Sequence, residues 1–377
     1  ITLVNTTQQP ILSSLENREL REQIFTASAN RAAQTNGPII IEETNLRAQK
    51  AELLGYKDWA SYVMTSRMAQ TTENVYGILD DLAPKAVEKA KIEAAAIQKV
   101  INDSGESFEL KPWDWAFYAE KVRAEKYDLD PALVKPYFEM SSVINDGLFF
   151  AMNKLYGITF KERQDLPVYH EDVTVYEVFN ADGSAIGLFY MDPYAREGKR
   201  GGAWMSAYVS QSGLKGTKPV IYNAQNIPKP AEGEPTLMTF DEVSTMFHEF
   251  GHAAHGLFSD VKYPSLAGTA TARDFVEFPS QAHEDWMIEP SVLANYAKHY
   301  KTGEPIPQAL LDKVLASQKF NQGFGTTEYL AAALLDMEWH SFGSDKKIND
   351  VQEFENAALK AHGIDYYPVP PRYKSNY

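Results

Sequence analysis

A chain of 377 residues with 44% apolar and 12% aromatic side chains can bury a sizeable core and is too hydrophobic to be disordered. Its formal charge of −15 excludes the clustered basic face of a nucleic-acid reader, and no apolar run is long enough to cross a bilayer. Eight histidines and no cysteine exclude disulfides and thiolate chemistry, so any metal must be held by imidazoles and carboxylates.

The opening ITLVNTTQQP has neither an initiating methionine nor a signal-type apolar core, so residues upstream are expected to have been removed or not included. From Leu15 to Lys99 the spacing predicts antiparallel helices, as in AVEKAKIEAAAIQKVI, where apolar positions recur at three and four residues. DSGES at 103–107 breaks the pattern, and WDWAFYAEKVRAEKYD resumes it with Trp113 and Trp115 as core aromatics. Residues 1–156 thus read as a helical part. Residues 157–235 read as a small mixed α/β part. There VTVYEVF and SAIGLFYMD flank Asn180-Ala181-Asp182-Gly183 as a hairpin. KPVIYNAQN at 218–226 is a second extended stretch, either a strand edge that an extended substrate pairs with or an ordinary buried strand. AREGKRGGAW at 195–204 lacks the spacing of a phosphate loop and reads as a plain loop. IPKPAEGEP at 227–235 is a connector, and residues 236–377 form a second helical part.

That part opens with a capped helix. Thr239 and Glu242 make a capping box and Gly256 suits a stop, which predicts a helix over 240 to about 256. Val243, Phe247, Phe250, Ala254 and Leu257 form its buried stripe. Within it runs FHEFGHAAHG. His248 and His252, four residues apart, fall about 40° apart around the axis and about 6 Å along it, so both rings reach one ion. Glu249 projects beside them, suited to take a proton from an activated water and return it to the leaving amine. This is the HExxH arrangement of zinc peptidases, with Glu249 as base and not ligand. A catalytic zinc needs a third protein ligand, which must come from downstream.

HEFGHAAHGLFSDVKYPSLAGTATARDFVEFPSQAHEDW closely resembles the zinc helix and following segment of the thimet oligopeptidase family, whose pattern runs HEFGH, GT, RDFVE-x-PSQ. The resemblance implies Glu277 as the third zinc ligand. Asp274 is then expected to cap a second helix with Glu277 in its first turn, where Pro279 is tolerable. PWDWAFYAEKVRAEKYDLD, LPVYHEDVTVYEVF, GGAWM, PVIYN and the stretch from IPQALLDK to PVPPRYKSNY look like the bacterial dipeptidyl carboxypeptidase branch. The implied fold is mainly α and elongated, with a deep substrate channel, a small β-sheet near the active site and one zinc ion on the channel floor. The implied substrates are short peptides that lose C-terminal dipeptides. An endo-acting oligopeptidase with the same site is the neighbouring alternative. A bacterial cytoplasmic or periplasmic setting is implied, the cytoplasm favoured.

Three further side chains are candidates. His255 reads as a core or supporting histidine, His340 as structural, and Glu284 either orients a ligand histidine through its N–H or lies on a solvated helix face. In the family, a glycine-rich stretch with histidine and tyrosines follows the segment that PPRYKSNY resembles. The chain is therefore expected to be one piece of a longer enzyme, the rest deleted or present as another chain. By itself it is expected to bind zinc and turn over slowly, or to act as a catalytically incomplete peptide binder.

Overall fold

The computed structural model describes residues 11–127 and 130–371; the expectations made for ITLVNTTQQP and RYKSNY lie outside them. Its principal helices are α1 (Arg18–Ala29), α2 (Ala33–Leu53), α3 (Thr72–Asp103), α4 (Pro112–Tyr127), α5 (Phe240–Leu257), α6 (Glu277–Glu284), α7 (Gln322–His340) and α8 (Val351–Ala361). The strands are β1 (Thr159–Glu162), β2 (Thr174–Phe179), β3 (Ala185–Tyr194), β4 (Trp204–Val209) and β5 (Val220–Ile227). The chain is therefore mainly α with one small sheet. It divides into two compact units, one from the described parts of 1–128 and 315–377, the other from those of 129–314.

In the first unit, the small residues of α3 recur at helical spacing and are buried: Ala83, Ala86, Ala90 and Ala94, followed by Ile97 and Ile101. They let α7 cross so closely that a Cβ on Gly323 would stand 2.4 Å from the Ala90 nitrogen. At that crossing the Glu93 carboxylate accepts the first-turn N–H groups of Gly323 and Phe324 at 3.0 and 2.9 Å, donors a helix cannot satisfy itself. Trp115 is buried, its indole N–H donating to Asn321 at 2.8 Å. Trp113 is only partly buried, its ring 6.1 Å from Phe25.

The second unit holds the sheet, in the order β1-β2-β3-β5-β4. β2 and β3 form the antiparallel hairpin around the Asn180–Gly183 turn, where Gly183 takes φ +83°, the left-handed region glycine enters without strain. The VIYN of KPVIYN lies in β5, which is flanked by β3 in parallel and β4 antiparallel, so it is an internal strand and offers no edge. The outer strand on that side is β4, and β1 is the outer strand on the other. Residues 195–203 form the expected loop, but the strand begins at Trp204. The root of that loop is clamped by buried Asp192, whose carboxylate accepts from Arg196 at 2.6 and 2.7 Å, Lys199 at 3.0 Å and the Tyr169 hydroxyl at 2.9 Å.

Helix α5 packs on the sheet through the buried stripe read from sequence. The Phe250 ring lies 5.1 Å from Phe189 and 5.7 Å from Phe160. A Cβ on Gly256 would come within 2.8 Å of Ile221 and 2.9 Å of Met205, so that glycine sets the contact distance. Among the described residues no helix is long and apolar enough to cross a membrane.

Candidate metal centre

Helix α5 starts with both halves of the capping box made. Thr239 Oγ1 accepts the Glu242 N–H at 3.1 Å and Glu242 Oε2 accepts the Thr239 N–H at 2.7 Å. Val243, Phe247, Phe250, Ala254 and Leu257 are all buried, which holds the helix by one side and turns His248 and His252 to the other. The two rings lie 5.0 Å apart, nearly perpendicular.

Glu277 comes to meet them. Its Oε2 lies 3.3 Å from His248 Nε2 and 3.1 Å from His252 Nε2. Among the described residues these three are the only histidine and carboxylate group whose ligand atoms converge in this way. A tetrahedral ion with bonds of about 2.0–2.1 Å separates its ligands by about 3.3 Å, so the spacing matches such a site. The chemistry of the donors matches as well. His248 Nδ1 is 2.7 Å from Glu284 Oε1, so the ring donates N–H there and leaves the Nε2 lone pair facing inward. Two imidazole nitrogens and a carboxylate oxygen converging on one point form a donor set that suits a divalent cation.

Glu284 thus orients His248, and its other oxygen accepts from Ser244 at 3.4 Å. His252 has no such support: its Nδ1 is buried without a partner among the described residues, and burial pushes its basicity down while Glu277 opposes the shift. Glu249 is 6% exposed and its Oε2 also lacks a partner. Burial, reinforced by Glu277 and opposed by His248, pushes its carboxyl up to about 7. A carboxyl in that state accepts or gives up a proton near neutrality.

Helix α6 begins at Glu277 itself, with Val276 at the cap position and no side-chain cap. The expected Asp274 cap does not form. Asp274 lies in the preceding turn, where Ala272 carbonyl accepts the Phe275 and Val276 N–H groups and Phe275 carbonyl that of Phe278, leaving no helix start at Asp274 to cap. Pro279 falls in the first turn, where its missing N–H has no intrahelical partner to lose. Sequence reasoning overlooked Ser280, which is fully buried and donates its hydroxyl to Glu277 Oε2 at 3.0 Å. Only its place in the PSQ triplet singled it out.

The remaining candidates stand away from this group. His255 is half-buried with its ring 6.5 Å from Phe275, and it is not one of the converging residues. His340 pairs with Arg47 at 2.9 Å and with the Asp336 carbonyl at 2.8 Å, a structural arrangement.

Comparison with known proteins fits this geometry. The model of peptidase family M3 matches residues 11–376. The chain is 48% identical to a dipeptidyl carboxypeptidase of Escherichia coli strain K12 and 46% identical to that of Salmonella typhimurium, each alignment covering all of this chain and 56% of the relative. It is 37% identical to oligopeptidase A of Salmonella typhimurium over 88% of this chain and 50% of that protein. The chain thus spans about half the length of the curated relatives it matches. On the family match and these identities, the chain belongs to peptidase family M3.

Proposed function

We propose that this chain carries the reaction centre of a zinc-dependent peptidase that releases C-terminal dipeptides from short peptides. His248, His252 and Glu277 would hold the zinc, and Glu249 would move the protons. The observation that carries the proposal is the convergence of two Nε2 atoms and one carboxylate oxygen beside a buried Glu249 whose Oε2 has no partner among the described residues. Zinc bound there supplies Lewis-acid polarisation of the scissile carbonyl and of the attacking water. Glu249, poised near neutrality by burial, takes the proton from that water and delivers it to the amine that departs. Glu284 holds the His248 tautomer.

The edge of β4 is where an extended peptide would add its main chain as a further strand. A cleft of about 290 Å³ runs beside it, lined in part by Met205, Ser206, Ala207, Gln211, Gly256 and Thr269. The partners on this reading are short peptides, and neither nucleic acid nor membrane. Residues that in the relatives lie outside the matched half, supplied as another chain, are proposed to raise turnover.

Glu249→Gln is the direct test. It is expected to keep zinc and to lose about 10²–10⁴-fold in peptide hydrolysis. Hydrolysis by the variant equal to that of wild type would overturn Glu249 as the base, and a wild-type chain that binds peptides without cleaving them would leave only a peptide-binding protein. A second reading, an endo-acting oligopeptidase with the same centre, is supported by the similarity to oligopeptidase A. Equal cleavage of a peptide and its C-terminally amidated form would favour it over the dipeptide-releasing one.

A further inference from the structure

We infer that Ser280 is a positioning residue for the metal centre, and that Gly251 is what brings it into range. This rests on the reading of His248, His252 and Glu277 as metal ligands.

The Glu277 side chain is 51% exposed, so packing alone leaves its torsions free. Besides the two imidazoles it faces, a single hydroxyl from its own helix holds it. Ser280 Oγ is forked between the Glu277 carbonyl at 2.9 Å and Glu277 Oε2 at 3.0 Å. That Oε2 is the oxygen facing both imidazoles. The hydroxyl therefore selects the rotamer in which the carboxylate points at His248 and His252, before any ion arrives. Ser280 itself is 0% exposed and has no room to turn elsewhere.

What fixes Ser280 is the approach of α6 to α5. A Cβ built on Gly251 would lie 2.6 Å from Ser280 Cα and 3.1 Å from His283 Cβ. The first is a backbone atom and below any real contact, so a side chain at Gly251 forces the helices apart. Gly251 sits between the two ligand histidines on α5, and Ser280 one turn after Glu277 on α6. The glycine of HEFGH and the serine of PSQ therefore form one contact, whose product is the direction of a carboxylate. A serine that served only the helix would bond the Glu277 carbonyl and leave the metal indifferent to it.

Ser280→Ala keeps the Cβ and deletes the hydroxyl. Zinc affinity of the chain, read by competition with a chromogenic chelator, is expected to fall about tenfold, the effect usual for a group that orients a ligand. The visible absorption of the cobalt(II)-loaded variant is expected to change, because a freed carboxylate alters the ligand field. Gly251→Ala is expected to weaken zinc at least as much, with lower stability. Unchanged zinc affinity in Ser280→Ala, or a cobalt spectrum identical to wild type, overturns the assignment. Wild-type chain that takes up no zinc sinks the metal reading itself, and this one with it.

Discussion

In each unit an imidazole stands between two carboxylates. In the second unit His248 has Glu284 at 2.7 Å on Nδ1 and Glu277 at 3.3 Å on Nε2. In the first, His362 has Asp80 at 2.8 Å on Nδ1 and Glu338 at 3.2 Å on Nε2. The difference lies in what else arrives. Around His362 the Tyr76 ring stacks at 5.6 Å, and its hydroxyl donates to the same Glu338 oxygen at 2.8 Å, so the cluster saturates itself. Around His248 a second imidazole points at the same Glu277 oxygen, and the Glu249 carboxylate next door has a buried atom with no partner among the described residues. Residue types alone do not distinguish a functional cluster from a structural one. Surplus acceptors do.

The sharpest way to break this contrast is to remove one ring from each cluster. His252→Ala should abolish zinc uptake and lower peptide hydrolysis by about 10³-fold or more, several kcal/mol of lost stabilisation. His362→Ala should leave both unchanged. Elemental analysis of the purified variants together with a peptide assay decides, and a drop in zinc on His362→Ala would erase the distinction. Smaller is the effect of the supporting carboxylates. Glu284→Gln is expected to weaken zinc about tenfold, whereas Glu338→Gln should leave zinc alone and cost about 1 kcal/mol in urea unfolding.

The smallest effect concerns protons. Burial, with help from Glu338, pushes the Tyr76 hydroxyl up to about 12 from an ordinary 10.0. The folded chain keeps a proton that the unfolded chain releases near pH 10. That contribution to stability is whole below pH 10 and is lost as pH rises through about 12. Urea unfolding from pH 9 to 11 should therefore show a decline that is shallower in Tyr76→Phe. An identical slope would mean that Tyr76 does not close its cluster.

How much of this could be read beforehand follows the range of the interactions. The capping box at Thr239, the stripe from Val243 to Leu257 and the hairpin at Asn180–Gly183 are contacts between near neighbours, and spacing exposes them directly. Glu277 lies 25 residues beyond His252, and only the family pattern pointed to it. Ser280 acts through a contact between two helices that no spacing encodes. Asp274 was misjudged because the chain already turns at Ala272, whose carbonyl takes the Phe275 and Val276 N–H groups, and the helix starts only at Glu277. The KPVIYN stretch had two readings because an apolar run looks alike in a central and an outer strand. Which one it is depends on β4, whose pairing brings together residues on either side of a ten-residue stretch, 210–219 (Met205 with Asn223 being one such pair), that carries no periodic signal.

The outward side of β4 imposes a parity rule. Side chains of an added strand alternate between the two faces, so a peptide that shifted by a single residue would turn every side chain over. Only displacements of two residues restore the same fit. A guest lying along this rim would advance by pairs, and an enzyme built around it would count its substrate in twos.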